Sequence, residues 1–321
     1  MPLIESIPAG AYARTAAPRL FSGYIPRMLA AGTLVDRYVI ESVAGRGGMG
    51  VVYRVRHQAL GSTHALKVVE RPVSGTAERF MREARAQARL RHPNVVAVTD
   101  YLEVLGLPAL VMEWVEGRPL DRVLNDGPMP YAEIDRLFAE VCAGVMAAHE
   151  LSMVHRDIKP ANILVTEVDG LRTAKVTDFG IVKVSGDPTL TRSRSGMGTP
   201  GYMAPEQVFD AKRVDVRADV YSLGCLLYRM LCGAPPFRGE LRALLACVAR
   251  GEYPPPESVV PELPGNYVRA IRACLEPARE LRPPSVAALR ALLAEPLPLG
   301  GVGPPPPRNV DEATWRRSGG G

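Results

Sequence analysis

Two short segments of the chain carry side chains that could transfer a phosphoryl group. The segment MVHRDIKPANIL contains Asp157, Lys159 and Asn162, and the segment VTDFGIV contains Asp178. A carboxylate can orient a hydroxyl and accept its proton, and a lysine can neutralise charge on the moving group. Carboxylate and amide oxygens are ligands that Mg²⁺ prefers. Because phosphoryl transfer mainly requires positioning and charge neutralisation, these residue types are sufficient for it.

A glycine-rich segment upstream could cover phosphates. GRGGMGVVY follows the pattern G-x-G-x-x-G-x-V, and glycines let a backbone approach phosphates without Cβ clashes. Dinucleotide-binding folds use similar glycines, but a helix follows them there. Here RYVIESVA alternates apolar and polar residues before the glycines, and the β-rich VVYRVRH follows them, which predicts strand, turn and strand. The covering segment comprises Gly45, Arg46, Gly47, Gly48, Met49 and Gly50.

The next two elements carry one lysine and one glutamate in unusual places. The apolar strand ALKVV contains Lys67, although a lysine in a strand is most often a solvated edge residue. The helix ERFMREARAQARLRHP places Glu83 on the same face as Phe80 and Leu90. A carboxylate on an apolar face needs a cationic partner, and Lys67 is the natural one. The alternative is a surface glutamate that pairs with the arginines of its own helix.

Three further segments, VMEWVEG, GTPGYMAPEQ and DVYSLGCLLYRML, complete an ordered set of motifs. The set resembles the protein kinase family over roughly residues 34–295. The residues within these motifs are most similar to those of the bacterial eukaryotic-like (Hanks-type) serine/threonine kinases. The resemblance implies an α+β, bilobal fold, with a small β-rich N-lobe that holds one major helix and a larger, mainly helical C-lobe. The implied divisions are an arm (1–32), a kinase domain (33–296) made of N-lobe (33–112), hinge (113–117) and C-lobe (118–296), and a Pro/Gly-rich tail (297–321).

The resemblance also implies a role for each motif residue. Asp157 would orient the acceptor hydroxyl and accept its proton, and Lys159 would counter charge at the γ-phosphate of ATP. Asn162 and Asp178 would hold Mg²⁺ or Mn²⁺. In the nucleotide pocket, Lys67 would bind the α- and β-phosphates, fixed by Glu83. Met112 would be the gatekeeper of the adenine pocket, and the backbone of Glu113 and Val115 in the hinge would hydrogen-bond the adenine. Three apolar side chains would enclose the ring: Val52, Ala65 and Leu164.

The same resemblance indicates the acceptor and a means of control. Lys159 and Thr199 match the residues that serine/threonine kinases carry, so the expected substrates are proteins bearing serine or threonine hydroxyls. Arg156 is of the type that pairs with a phosphate on the activation loop. The candidate phosphorylation sites in that loop are Thr191, Ser193 and Ser195. The alternative is a polar loop without a switch. The resemblance is also compatible with a dimer for trans-autophosphorylation.

Further positions of the family pattern are structural. Glu206 would pair with Arg282, and Asp219 would anchor the backbone of the catalytic loop. Four side chains that commonly stack between the lobes correspond here to His155, Phe179, Val98 and Gln87. Gln87 departs from the pattern because the family more often has an apolar residue there. A buried amide without partners costs about 1–3 kcal/mol, so we expect weak docking of the helix that carries Glu83.

Composition excludes several other classes. The net charge is +5, and no basic run accompanies an aromatic platform, which argues against nucleic-acid binding. No stretch approaches about 18 uninterrupted apolar residues, so no membrane span is expected. Residues 1–32 lack a compact apolar core, which argues against a signal peptide and predicts a disordered arm. The five cysteines show no CxxC pairing and indicate reduced thiols in a cytoplasmic protein.

The expected function is therefore that of a non-specific serine/threonine protein kinase in bacterial signalling, with autophosphorylation of its activation loop. One alternative is a pseudokinase-like scaffold or binding module, which would be expected to lack a residue such as Lys67, Asp157 or Asp178, and none is lost. A second is a small-molecule phosphotransferase. That class usually lacks a segment such as GTPGYMAPEQ, because it seats no peptide.

Overall fold

The structure, a computed structural model, describes residues 28–47, 50–70, 77–179 and 200–294. The described chain forms a β-rich lobe and a mainly helical lobe, which are connected through residues 113–117. This arrangement confirms the bilobal α+β fold that the motifs predict.

The N-terminal lobe is an antiparallel sheet whose described strands run in the order β1-β2-β3-β4-β6-β5. The predicted strands on either side of the glycines are β2 and β3, and the predicted helix is α1, which packs against β5 and β6. The elements are β1 (Leu34–Val35), β2 (Tyr38–Gly47), β3 (Gly50–His57), β4 (Thr63–Val69), α1 (Ala77–Arg89), β5 (Val98–Val104) and β6 (Leu107–Glu113).

The two faces of this sheet bury different clusters, because successive side chains of a strand point to opposite faces. On the outer face, Tyr53 and Val55 of β3 pack with Leu66 of β4 in one apolar cluster. On the face towards the C-terminal lobe, Ala65 of β4 packs with Ala84 of α1 in a second cluster. The sheet therefore presents one apolar face to the cleft between the lobes.

The C-terminal lobe is built around α5, which is buried along nearly all of its length. Asp215 caps the start of α5 by accepting a hydrogen bond from the N–H of Arg217, and Gly233 ends it in the left-handed conformation (φ 75°). A small sheet, β7-β8-β9, lies next to the cleft. The elements are β7 (Arg118–Pro119), α2 (Leu120–Asp126), α3 (Tyr131–Glu150), β8 (Ile163–Val168), β9 (Leu171–Val176), α4 (Pro205–Phe209), α5 (Val216–Cys232), α6 (Leu241–Arg250), α7 (Pro256–Val259), α8 (Gly265–Cys274) and α9 (Val286–Ala294).

A second junction between the lobes lies just after α1. The N–H of Val96 donates to the carbonyl of Val176 in β9 (2.9 Å), and the N–H of Val176 donates to the carbonyl of Asn94 (2.8 Å). The same carbonyl of Asn94 lies against Gly144 of α3, where an added Cβ would approach it to 2.7 Å. The segment between α1 and β5 is thus held by the C-terminal lobe, and only glycine fits at position 144.

The chain is part of the N-terminal lobe from a point earlier than the predicted boundary at residue 33. Leu29 packs against the outer apolar cluster, and its N–H donates to the Tyr53 hydroxyl (3.2 Å). Gly32 donates its N–H to the carbonyl of Ile40 (2.8 Å). These contacts bring residues 28–32 into the lobe; residues 1–27 and the tail from residue 295 lie outside the described part of the chain.

The cysteine side chains behave as core residues. All five are free thiols, and all except Cys247 are buried. Burial raises the pKa of Cys142 to about 12, which keeps its thiol protonated and unreactive near neutral pH. Among the described helices, none is long and apolar enough to cross a membrane.

Candidate active site

The loop between α3 and β8 gathers three of the predicted residues around one carboxylate. Asp157, which is nine-tenths buried, accepts hydrogen bonds on Oδ2 from Lys159 Nζ and from Asn162 Nδ2, both at 3.0 Å. The Asn162 amide also donates to the carbonyl of Asp157 (2.8 Å). The loop therefore fixes the direction of the Asp157 side chain through two donors that belong to the same motif.

His155 connects this loop to the segment that carries Asp178. Its Nε2 lies 3.0 Å from the carbonyl of Thr177 and must donate to it, while Nδ1 accepts from the N–H of Asp157 (3.2 Å). This use of both ring nitrogens requires the neutral ring, and burial lowers the pKa of His155 in the same sense. The N–H of Thr177 donates to the carbonyl of Asn162 (2.9 Å), so the residue before Asp178 is held at both backbone groups.

The loop backbone is anchored from below by a fully buried carboxylate. Asp219 of α5 accepts from the N–H groups of His155 and Arg156, both at 2.8 Å. Arg156 has a left-handed backbone (φ 64°), a conformation that costs energy in a non-glycine residue. The carboxylate of Asp219 stabilises that conformation, and with it the position of Asp157. The predicted anchoring by Asp219 is thus observed.

Lys67 is paired differently from the prediction. Its ammonium group lies 2.6 Å from Asp178 Oδ1, with Lys67 only 12% exposed. Among the described residues, the structure gives Lys67 no ion pair with Glu83; the predicted Lys67–Glu83 pair is not formed. Asp178 has a left-handed backbone (φ 61°), which directs its carboxylate at β4. The single ammonium is therefore neutralised from the C-terminal lobe, while Glu83 stays half-buried on α1 and makes its interaction elsewhere.

The predicted adenine pocket is an apolar cluster on the cleft face of the sheet. Ala65 and Met112 are buried members, and they are adjacent partners in the pairing of β4 with β6. The side chains of Val52, Val115 and Leu164 pack against them, the last of these from β8 of the C-terminal lobe. The cluster therefore has walls from both lobes. At its hinge side, the N–H of Glu113 donates to the carbonyl of Ala97 (2.8 Å).

The glycines of β2 and β3 differ in the space around them, and they therefore have different structural roles. A Cβ at Gly50 (φ 150°) would lie 1.9 Å from the Val68 carbonyl, so this glycine is required by the approach of β3 to β4. A Cβ at Gly45 or Gly47 would meet no other atom of the described chain within 4 Å. These two positions leave open backbone along the edge of the cleft, as a phosphate cradle needs. Arg46 turns away and pairs with Glu70 (3.4 Å).

The donor set suits the predicted magnesium ion. Both donations of the Asn162 amide go to Asp157, which leaves the amide oxygen as the group that can bind a cation. Asp178 contributes a carboxylate, and the hydrogen bond from Thr177 to Asn162 keeps the two residues close. An amide oxygen and a carboxylate are hard ligands of the kind Mg²⁺ takes together with phosphate oxygens. No cluster of three His, Cys, Asp or Glu residues that could hold a metal ion occurs in the described part of the chain.

Residues 200–207, the described part of GTPGYMAPEQ and here called the substrate-side segment, are tied to the catalytic loop, which is the loop that carries Asp157, and to Arg282 of the C-terminal lobe. Arg282 donates two hydrogen bonds to Glu206 (2.8 and 2.9 Å) in a buried pair, as predicted. Gln207 donates to the carbonyl of Arg156 (2.8 Å) and accepts from the N–H of Ala204 (3.1 Å). These bonds fix the end of the substrate-side segment against the residue that precedes Asp157.

Two residues that help to position the site, His149 and Gln207, were not identified from the sequence. His149 of α3 donates from Nε2 to Asp219 Oδ2 (2.8 Å) and supports the buried anchor. Gln207 joins the substrate-side segment to the catalytic loop. Each position carried only a weak signal in the sequence: His149 is a histidine in the last turn of the helix before the loop, and Gln207 is a glutamine inside GTPGYMAPEQ. Neither signal identifies the partner, which lies far away along the chain.

The four predicted stacking positions are all buried. His155 and Phe179 have ring centroids 4.5 Å apart, and Val98 is 2% exposed. Gln87 is also 2% exposed, and its Oε1 atom has no hydrogen-bond partner among the described residues. The departure from the family pattern therefore places an unsatisfied amide oxygen beneath α1, one turn after Glu83.

Several predicted site residues lie outside the described part of the chain. They are two residues of the glycine-rich turn, the three candidate phosphorylation sites and the residue expected to seat the substrate: Gly48, Met49, Thr191, Ser193, Ser195 and Thr199. Their predicted roles stay predictions.

Comparisons with known proteins agree with this geometry. The profile of the protein kinase domain matches residues 38–290. Serine/threonine-protein kinase PknH of Mycobacterium tuberculosis is 38% identical over 241 residues, which cover 74% of this chain and 38% of PknH. Serine/threonine-protein kinase pkn2 of Myxococcus xanthus is 38% identical over 279 residues, which cover 83% of this chain and 33% of that protein. The chain thus spans between a third and two fifths of the length of these curated relatives.

Solved structures show the same fold. The kinase domain of Mycobacterium tuberculosis PknI superposes with a TM-score of 0.67 at 27% identity, covering 83% of this chain and 98% of that one. A structure of Rad53 in complex with AMP-PNP superposes with a TM-score of 0.66 at 25% identity, covering 80% of this chain and 65% of that one. The second was solved with a nucleotide analogue bound.

Proposed function

The chain belongs to the protein kinase family, and we propose that it transfers the γ-phosphoryl group of ATP to serine or threonine hydroxyls of protein substrates. One observation carries the proposal: Asp157 is held by Lys159 and Asn162, beside a segment that brings Asp178 to Lys67 across the cleft. The names of the relatives, which are serine/threonine-protein kinases, support the same reaction.

In the proposed reaction Asp157 acts on the acceptor. Its carboxylate orients the hydroxyl and takes up the proton as the oxygen attacks the γ-phosphorus. The bond from phosphorus to the bridging oxygen breaks, and ADP leaves with the electron pair. Two hydrogen bonds, from Lys159 and Asn162, fix one carboxylate oxygen of Asp157 and so set the direction in which the carboxylate faces. The buried setting strengthens these interactions relative to water.

The two lysines would neutralise the negative charge of the phosphates. Lys159 lies beside Asp157 and would face the transferred phosphoryl group, where it offsets the developing negative charge. Lys67 would bind the α- and β-phosphates from β4. Asn162 and Asp178 would hold Mg²⁺, which supplies further charge neutralisation at the phosphate oxygens when it is bound.

We also propose regulation through the activation loop. Arg156 carries a guanidinium next to the catalytic base, in a backbone held by Asp219 and Gln207. A phosphate on the loop would offer that guanidinium a charge-assisted partner and would order the loop.

The free thiols suit a reducing compartment such as the cytoplasm. The substrate-side segment, anchored by the Glu206–Arg282 pair, suits a peptide acceptor.

The test is Asp157→Asn, measured as phosphate incorporation into a generic basic protein with ATP and Mg²⁺. Removal of a general base costs roughly 100- to 10,000-fold in rate, so we expect turnover to fall at least about 100-fold. Affinity for an ATP analogue should stay close to that of the unaltered protein, because Asp157 contacts the acceptor. Asp126→Asn, at an exposed carboxylate of α2, is the matched control and should behave like the unaltered protein. Turnover by Asp157→Asn near the unaltered level would refute the assigned role.

A further inference from the structure

A small group of side chains joins the glycine-rich strand to the hinge at the mouth of the predicted adenine pocket. Arg54 follows Val52 by two positions in β3, so both side chains leave the same face of the strand. Val52 packs in the cleft cluster, and Trp114 of the hinge packs against that cluster too. Arg54 therefore lies where the pocket opens, between the strand that covers it and the hinge that closes it.

The contacts of Arg54 form a bridge between these two elements. Its guanidinium carbon lies 5.2 Å from the centroid of the Trp114 ring, and Nη1 lies 3.7 Å from Glu116 Oε1. The Trp114 indole N–H donates to the same Glu116 oxygen (2.7 Å). The arginine thus stacks on the hinge indole and pairs with the carboxylate that holds the indole in place.

A second carboxylate forms an ion pair with the other side of the guanidinium, although the buried Arg54 Nε makes no hydrogen bond among the described residues. Glu41 of β2 lies 3.1 Å from Arg54 Nε and also 3.1 Å from Arg56 Nε. Arg54 is held by β2 from one side and by the hinge from the other. Arg56 lies two positions further along the same strand face and shares Glu41, yet the structure gives it no contact with Trp114 among the described residues.

We propose that Arg54 is a positioning residue for the nucleotide, an inference that rests on the proposed function. Trp114 stands between Glu113 and Val115, the residues expected to bind adenine through their backbone. By stacking on Trp114, Arg54 sets how closely β3 lies over the hinge and therefore how well the pocket fits the base. Its described contacts are all with strands and hinge, so it should affect nucleotide binding and leave the chemical step unchanged.

The experiment compares Arg54→Leu with Arg56→Leu. Loss of the half-buried cation–π contact with Trp114 and of the ion pair with the exposed Glu116 should raise the Kd for ADP and the KM for ATP about threefold to thirtyfold, with kcat within about twofold. Arg56→Leu loses the same charge and the same Glu41 partner, and it should leave Kd and KM within about twofold of the unaltered protein. Arg54→Lys keeps the charge without the planar stacking group and should give an intermediate Kd.

A spectroscopic readout separates this inference from the proposed function. The chain contains two tryptophans, Trp114 and Trp315, so Trp315→Phe leaves Trp114 as the sole reporter. In nucleotide-free protein, Arg54→Leu should change the Trp114 emission, and Arg56→Leu should not. Equal emission and equal Kd in the two leucine variants would overturn the inference, as would a fall in kcat with Kd unchanged. An unaltered protein that binds no ADP would overturn the proposed function instead, while the emission would still test the stacking.

Discussion

Replacement of Gln87 by leucine should stabilise α1 against the rest of the molecule and raise basal transferase activity. The amide is 2% exposed, and its Oε1 has no hydrogen-bond partner in the described residues. A buried polar atom without a partner costs about 1–3 kcal/mol. Leucine removes that atom, keeps a side chain of similar length and places apolar surface next to Ala84 and Leu90, the buried residues of the same helix region.

The structure sets the expected size of the effect. Relief of one unsatisfied oxygen should raise the free energy of unfolding by about 1–2 kcal/mol, after allowance for imperfect packing of the new side chain. For a domain of this size, each kcal/mol raises Tm by about 2–4 °C. If the docked position of α1 is the minor state, a bias of about 1.4 kcal/mol raises the active fraction about tenfold. Glu83, one turn earlier on α1, would be drawn towards the cleft by the same change.

The assay measures thermal unfolding and initial rates of phosphate incorporation in unphosphorylated protein. Arg85→Leu provides the matched control, because Arg85 is an exposed residue of the same helix and its replacement adds leucine without burial. Gln87→Leu should exceed both the unaltered protein and the control in Tm and in basal rate. A Tm that is unchanged or lower, together with a basal rate that does not rise, would refute the reasoning about the buried amide.

Two further changes test the switch and the lobe junction. Joint replacement of Thr191, Ser193 and Ser195 by alanine should lower both the phosphate content after incubation with ATP, mapped by mass spectrometry, and the turnover; if both stay at the unaltered level, the loop is not a switch. Gly144→Ala should lower the free energy of unfolding by about 1–3 kcal/mol in urea, although alanine favours a helix, because its Cβ would lie 2.7 Å from the Asn94 carbonyl. A urea midpoint that is unchanged or higher would show that the junction adapts without cost.

The short-range parts of the site were predictable from the sequence. Asp157, Lys159 and Asn162 lie within one tight loop, so their spacing alone brings them into hydrogen-bonding reach. The strands on either side of the glycines followed from alternation, because a sheet with one buried face imposes a period of two. The ordered motifs also predicted the two lobes. Each of these features depends on contacts between residues that are near in sequence or on a pattern repeated along one element.

The family pattern predicted the long-range partners of Glu206 and Asp219, but only the tertiary structure decided the partner of Lys67 and the environment of Gln87. The ammonium of Lys67 pairs with Asp178 and not with Glu83, because the choice depends on how α1 and the segment after β9 approach β4. The residue types permitted either pair. The sequence predicted that Gln87 would be buried, but the missing partner of its oxygen appears only when every neighbouring group is in place. Hydrogen-bond satisfaction is a property of the packed molecule, since each atom's partners come from several distant segments.

The bridge from Arg54 to Trp114 shows the same limit at the mouth of the pocket. In the sequence, Arg54 is one of several arginines in a polar alternation, and nothing distinguishes it from Arg56. The fold places the hinge indole opposite the first and not the second. Composition and motif order thus predicted the family and the two lobes, and they identified the candidate residues for the chemistry. The packing of the two lobes determined which charges meet, because a charged side chain reaches only a few ångströms and its partner is chosen by the elements that surround it.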